Sequence, residues 1–131
     1  MTREWLRKAE ADYRLAKKLA EGSEPFYDQR SFLCQQAAEK YLKALLEELD
    51  LPVPRTHLLH DLLGLLLPHH PSLRPLQRGL KFLTRFAVAT RYPGDDATKR
   101  QAEAAFRWAD RVRTAARAIL GIRPRPTRPK K

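Results

Sequence analysis

The chain has 131 residues, 26 Lys and Arg against 15 Asp and Glu for a net charge of +11, and 43% hydrophobic residues. That suffices for one domain around a single core, and it is too apolar for a disordered polycation. No run approaches the ~20 apolar residues of a membrane span, the charged N-terminus lacks the apolar stretch of a signal peptide, and one cysteine excludes an internal disulfide framework or a Cys-based zinc site, so a cytoplasmic protein is expected.

Prolines at 25, 52, 54, 68, 71, 75 and 93 divide the chain into five predicted helices. The first runs from about Thr2 to Ala20, with Thr2 as N-cap, Gly22 after its end, and Trp5, Ala9, Ala16, Leu19 and Ala20 on one face. The second runs from about Asp28 to Leu49 and aligns Cys34, Ala38, Tyr41, Leu42, Leu45 and Leu49. A short third helix spans about His57 to Leu67, between Thr56 as cap and Pro68 as stop. The fourth spans about Ser72 to Ala89 on Leu76, Leu80, Leu83 and Ala87. The fifth follows Asp95 and Asp96, either of which could cap it, and runs to about Leu120 with Ala97, Ala104, Ala105, Trp108, Val112, Ala115 and Ile119 inward. No segment alternates as a strand would. The expected fold is all-α: an up-and-down bundle of four long helices and one short one.

The charge is unevenly placed. Five cations and no acid lie in residues 121–131, where prolines at 124, 126 and 129 favour extended backbone. Residues 1–120 are therefore read as the bundle, carrying +6 of the +11, and 121–131 as a disordered basic tail. Within the bundle, i to i+4 pairs such as Glu39–Lys43 offset part of the remaining charge.

Polar residues on apolar stripes are the informative exceptions. Asp12 interrupts the helix 1 stripe, and an unpaired carboxylate there would be costly. Gln35 lies beside Leu42 and Leu46 on helix 2. Arg91 extends the helix 4 stripe at its C-terminal end, where the helix dipole favours a cation. Asp12 and Arg91 are expected to pair, either as a buried lock between helices 1 and 4 or as a charged pocket in which Arg91 meets a phosphate. Tyr92, next to it, could stack on a base. His57, His60 and Asp61 share a face of helix 3, but without the spacing of a zinc site they read as its solvent side, and no metal or cofactor is assigned. Cys34 lies on the core stripe and reads as an inert small hydrophobe.

Four segments in order resemble HEPN domains: helix 1 with Trp5, Ala9, Asp12 and Ala16; Phe32–Leu46 (FLCQQAAEKYLKALL); Thr56–Leu63 (THLLHDLL); and Thr90–Asp95 (TRYPGD) before an Ala-rich last helix. The resemblance covers about residues 2–120 and leaves the tail outside. It implies a helical bundle that commonly forms homodimers, nucleotide or RNA binding in a cleft, and, for small prokaryotic members, pairing with a separate minimal nucleotidyltransferase in toxin–antitoxin-like modules. Many members are metal-independent ribonucleases with an Arg-x4-6-His motif near the start of the last helix. Here no histidine follows His70, so that motif is missing from its place after Arg91. A second match, Arg55 to His60, lies at the start of helix 3. There a histidine could shuttle a proton and an arginine could stabilise a phosphorane.

Three readings follow. The first is a non-catalytic nucleotide- or nucleic-acid-binding protein, with Asp12, Gln35, Arg91 and Tyr92 as ligand-binding residues, Lys40 as a further contributor, and a nucleotidyltransferase partner. The second is an RNA-cleaving toxin using Arg55 and His60. The third is a dimerisation or interaction module with no nucleotide ligand.

Overall fold

A computed structural model describes residues 1–88 and 92–122. Their elements are α1 (Thr2–Glu21), α2 (Tyr27–Glu48), α3 (Leu59–Leu66), a 3-10 helix (Pro71–Leu76), α4 (Gln77–Thr84) and α5 (Lys99–Ile119). Among the described residues there is no strand, so the all-α bundle of five α-helices stands. None of these helices is long and apolar enough to cross a membrane. The tail from 123 onward and the segment 89–91 lie outside the described residues.

Helix α2 is the axis of the fold. It buries thirteen residues, against three on α1 and five on α5. One side of it packs along α1 and α5, and another meets α3 and α4. Its neighbours come close because the facing residues are small: Ala9 and Ala16 on α1, Ala37 and Ala38 on α2, and Ala105, Ala109 and Ala116 on α5, all buried. Leucines fill the opposite side, where Leu59, Leu62, Leu63, Leu66, Leu73, Leu80 and Leu83 are fully buried with Phe86.

Four helices have a boundary or cap that differs from the one expected of the sequence. The fourth helix is shorter than its leucine pattern suggests. Pro75 lacks an N–H and disfavours α conformation at the residue before it, and Pro71–Leu76 coils as a 3-10 helix instead. Helix α4 then ends at Thr84, where i to i−3 bonds from Arg85 and Phe86 tighten the chain and Phe86 turns into the core.

Helix α3 starts at Leu59, two residues after the expected His57. Thr56 still accepts a hydrogen bond, from the Leu58 amide at 3.1 Å, but outside the helix. The Leu59 amide, an orphan donor of the first turn, is met by Thr84 Oγ1 at 3.3 Å, which ties α3 to the end of α4.

Helix α5 is capped by Thr98, not by Asp95 or Asp96. Thr98 and Gln101 form a capping box with both bonds at 3.0 Å. A carboxylate does hold this junction, but from another helix: Asp28 of α2 accepts the Ala97 amide at 2.6 Å. At the other end of the chain, Met1 rather than Thr2 occupies the cap position of α1.

Gly79 sets the approach of α4 to α5. A Cβ on it would overlap the ring of Trp108, so the indole packs directly against the glycine. Only the absence of a side chain allows that contact.

Candidate functional site

Three polar clusters cross the α1–α2–α5 side. In the first, Asp12 of α1 pairs with Lys40 of α2, each about one-fifth exposed. The partner expected from the sequence was Arg91, which lies outside the described residues. The observed pair joins α1 to α2.

The second gathers on Glu10. Its carboxylate accepts Tyr41 Oη at 2.7 Å and both Arg113 Nε at 2.9 Å and Arg113 Nη2 at 3.2 Å, with Arg117 at 3.4 Å. One acid therefore ties three helices. Burial alone would raise its pKa, but the hydrogen bonds and charges of the arginines and tyrosine outweigh that and hold it below the ordinary carboxylate value. Beside it, Tyr13 donates to Asp110 at 2.7 Å and stacks on Phe106. Burial and then the Asp110 bond push the Tyr13 hydroxyl up to about 12, so it remains a donor at neutral pH.

The third cluster is the most buried. Gln35, fully buried, donates to Glu39 at 3.1 Å and accepts from Gln36 at 2.7 Å. Glu39 also accepts from Lys43 at 3.0 Å and lies 2.7 Å from His57 Nδ1. Burial opposes the charge on Glu39, yet these three partners hold its pKa below the usual value. Lys43 lies 5.4 Å over the Trp5 ring, so the α1 aromatic covers the cation. The Glu39–Lys43 pair expected from its i to i+4 spacing is present, and it is buried. Its side chains are 6% and 7% exposed.

Of the ligand-binding residues expected from the sequence, Asp12 is half-buried and paired, Gln35 is enclosed within the Glu39 cluster, and Tyr92 is 85% exposed. Arg55 and His60 are both exposed. The histidine that is engaged is His57, on Glu39. Cys34 is buried, and burial pushes its thiol up to about 12, so it has little nucleophilic thiolate. No group of His, Cys, Asp or Glu among the described residues could hold a metal ion.

The sequence reading missed Glu10, Tyr13 and Asp110. Their signal was present in the spacing, since Glu10 and Tyr13 are three apart on the face that contains Ala9 and Ala16. That face turns out to meet both α2 and α5.

Residues 2–119 match the HEPN domain family. The chain belongs to this family. The fold is shared with TT1696 from Thermus thermophilus, at 28% identity and a TM-score of 0.75 over 89% of this chain and 96% of that one. It is shared also with ST0689, described as an archaeal HEPN homologue, at 24% identity and a TM-score of 0.74 over 92% and 98%. No curated protein matches the chain. The HEPN-like stretch Phe32–Leu46 is the buried centre of α2, and it contributes Gln35, Glu39, Tyr41 and Lys43 to these clusters. The second stretch, Thr56–Leu63, brings His57 to Glu39 and then enters α3. Two of the segments that carry the resemblance therefore meet at one buried carboxylate. The last of the four, Thr90–Asp95, lies partly outside the described residues.

Proposed function

We propose that this HEPN protein is a non-catalytic binder of nucleotide or nucleic acid, acting as a homodimer with a separate minimal nucleotidyltransferase in a cytoplasmic toxin–antitoxin-like module. The observation that carries the reading is the state of the histidines. Proton transfer to or from a ribose hydroxyl needs a histidine within hydrogen-bond reach of it, and a cation beside the phosphate to stabilise the phosphorane. His57 is engaged by a buried carboxylate, Arg55 and His60 are both exposed, and no histidine follows His70 in the sequence. Binding needs less: a cation for phosphate and an aromatic face for a base. Arg91 and Tyr92 supply these, and the exposure of Tyr92 leaves its ring available.

The test is binding of a single-stranded RNA and of ATP to the full chain, by fluorescence anisotropy and calorimetry over a range of salt. The expected result is affinity that falls steeply with salt, weakens in Arg91→Ala and Tyr92→Ala, and leaves the RNA intact. Cleavage that disappears in His60→Ala would make the protein an enzyme. No affinity for either ligand at low salt would leave a dimerisation or docking module. Co-purification with a nucleotidyltransferase expressed alongside it tests the partner.

A further inference from the structure

The loop 22–26 turns α1 into α2 beside the start of α5, and a cleft of about 750 Å³ opens there. Tyr27, Arg30, Lys99, Glu103, Phe106 and Arg107 line it. The volume suits a small organic ligand.

Arg30 is the anomaly in this cleft. It is 9% exposed, and with Lys43 it is one of two buried cations among the described residues. Lys43 has Glu39 at 3.0 Å. Arg30 has no carboxylate partner among the described residues. It donates one bond, to the Pro25 carbonyl at 3.3 Å, and lies 5.4 Å from the centre of the Tyr27 ring. A guanidinium carries five N–H donors, and leaving a buried charge this poorly matched is costly. By contrast, Lys40, Lys43 and Arg113 on the same α1–α2–α5 side each have an opposite charge against them.

The surroundings favour an anion. Helix α2 begins at this cleft with Phe26 in the left-handed region (φ 41°) and without a hydrogen bond from a capping side chain. The start of α5 borders the same space through Lys99, and the Asp28–Ala97 bond holds the two helix starts together. The cations Arg30, Lys99 and Arg107 converge here, beside the starts of α2 and α5. The cleft is not simply basic, however. Glu24 and Glu103 also line it and offer acceptors, and Phe106, with one face stacked on Tyr13, offers apolar surface.

We infer that this cleft binds a nucleoside phosphate, with Arg30 as phosphate receptor, Lys99 and Arg107 neutralising the remaining charge, and Glu103 accepting from a sugar hydroxyl or an exocyclic amine. The inference rests on the nucleotide reading above and adds a receptor that is separate from Arg91 in the sequence.

Calorimetry with AMP, ATP, adenosine and inorganic phosphate on the full chain tests it. Arg30→Met keeps the apolar stem and removes the donors. Lys99→Ala with Arg107→Ala leaves the buried arginine intact, and serves if Arg30→Met fails to fold. Arg74→Ala with Arg78→Ala removes two charges elsewhere. The expected result is nucleotide affinity about tenfold to a hundredfold weaker in the first two variants, as for lost charged hydrogen bonds, and unchanged in the third. Adenosine should bind more weakly than AMP.

Nucleotide binding that is lost in Arg91→Ala but unchanged in both cleft variants would overturn this site and leave the proposed function standing. No nucleotide binding by the unaltered chain would overturn the site and the nucleotide half of that function together. Inorganic phosphate binding as tightly as AMP would overturn the nucleoside assignment.

Discussion

The two sides of the bundle are held by different physics. On the α1–α2–α5 side the buried apolar residues are mostly alanines, and the specific contacts are polar: Asp12–Lys40, Glu10 with Tyr41 and Arg113, and Tyr13–Asp110. On the α3–α4 side the interior is leucine and phenylalanine, and specificity comes from shape, above all from Trp108 lying on Gly79. Smooth alanine ridges pack closely but discriminate poorly between registers, so directed hydrogen bonds must set how far one helix slides along another. Interlocking leucines set their own register, because a misplaced side chain leaves a void or an overlap.

The strongest test of that contrast is a large-to-small change on the leucine side. Leu63→Ala should cost about 2–5 kcal/mol, read as a lower urea midpoint with an unchanged slope. A cost below about 1 kcal/mol would mean that the α3 leucines are not a tightly packed core.

Glu39→Ala comes next, since it strands buried Lys43 and should cost about 3 kcal/mol. Adding Lys43→Met should restore most of the loss. A double variant no better than the single would show that Glu39 matters through His57 or Gln35 rather than through the ion pair.

Gly79→Ala should cost about 1–3 kcal/mol by overpacking against Trp108, with partial recovery when Trp108→Leu is added. If the two changes are simply additive in thermal melts, the close approach is not what Gly79 provides.

The polar side should also be the acid-sensitive one. Glu10 and Glu39 have folded pKa values below their ordinary 4.5, so between the two values the unfolded chain binds more protons. Their contribution to stability is complete above about 4.5 and is lost as pH falls through the lowered folded values. Melting temperature should drop on acidification in that window, and Glu10→Gln should flatten the acid limb. An identical limb in the variant would assign acid sensitivity to other carboxylates.

Asp12→Ala should have the smallest effect, below about 1 kcal/mol, because its pair with Lys40 is partly in water. If nucleotide or RNA binding is unchanged in this variant, Asp12 is structural. A binding defect larger than the stability change would place it at a ligand.

Much of the architecture was legible in the residues. The prolines and apolar spacing place α1, α2 and α5 within one or two residues of their observed limits. Where local rules compete, legibility ended. A leucine period across Pro75 looks like one helix, and the missing N–H makes it two pieces. Two aspartates before α5 look like caps, but Thr98 has the glutamine three residues on that completes a box. Asp12 was rightly expected to need a partner on a neighbouring helix, yet the spacing could not say that Lys40 would reach it.

By itself, then, the amino-acid sequence determined the helical class, the order of the helices and the family, because these depend on local periodicity and on segments read in line. It also limited the chemistry, since a histidine that is not in the sequence cannot act. Tertiary structure alone decided which charges are paired, because that depends on distances between residues far apart in the chain. It encloses Gln35, Glu39 and Lys43 together, gathers Tyr41 and two arginines on Glu10, and leaves Arg30 buried beside a cleft with no carboxylate paired to it among the described residues.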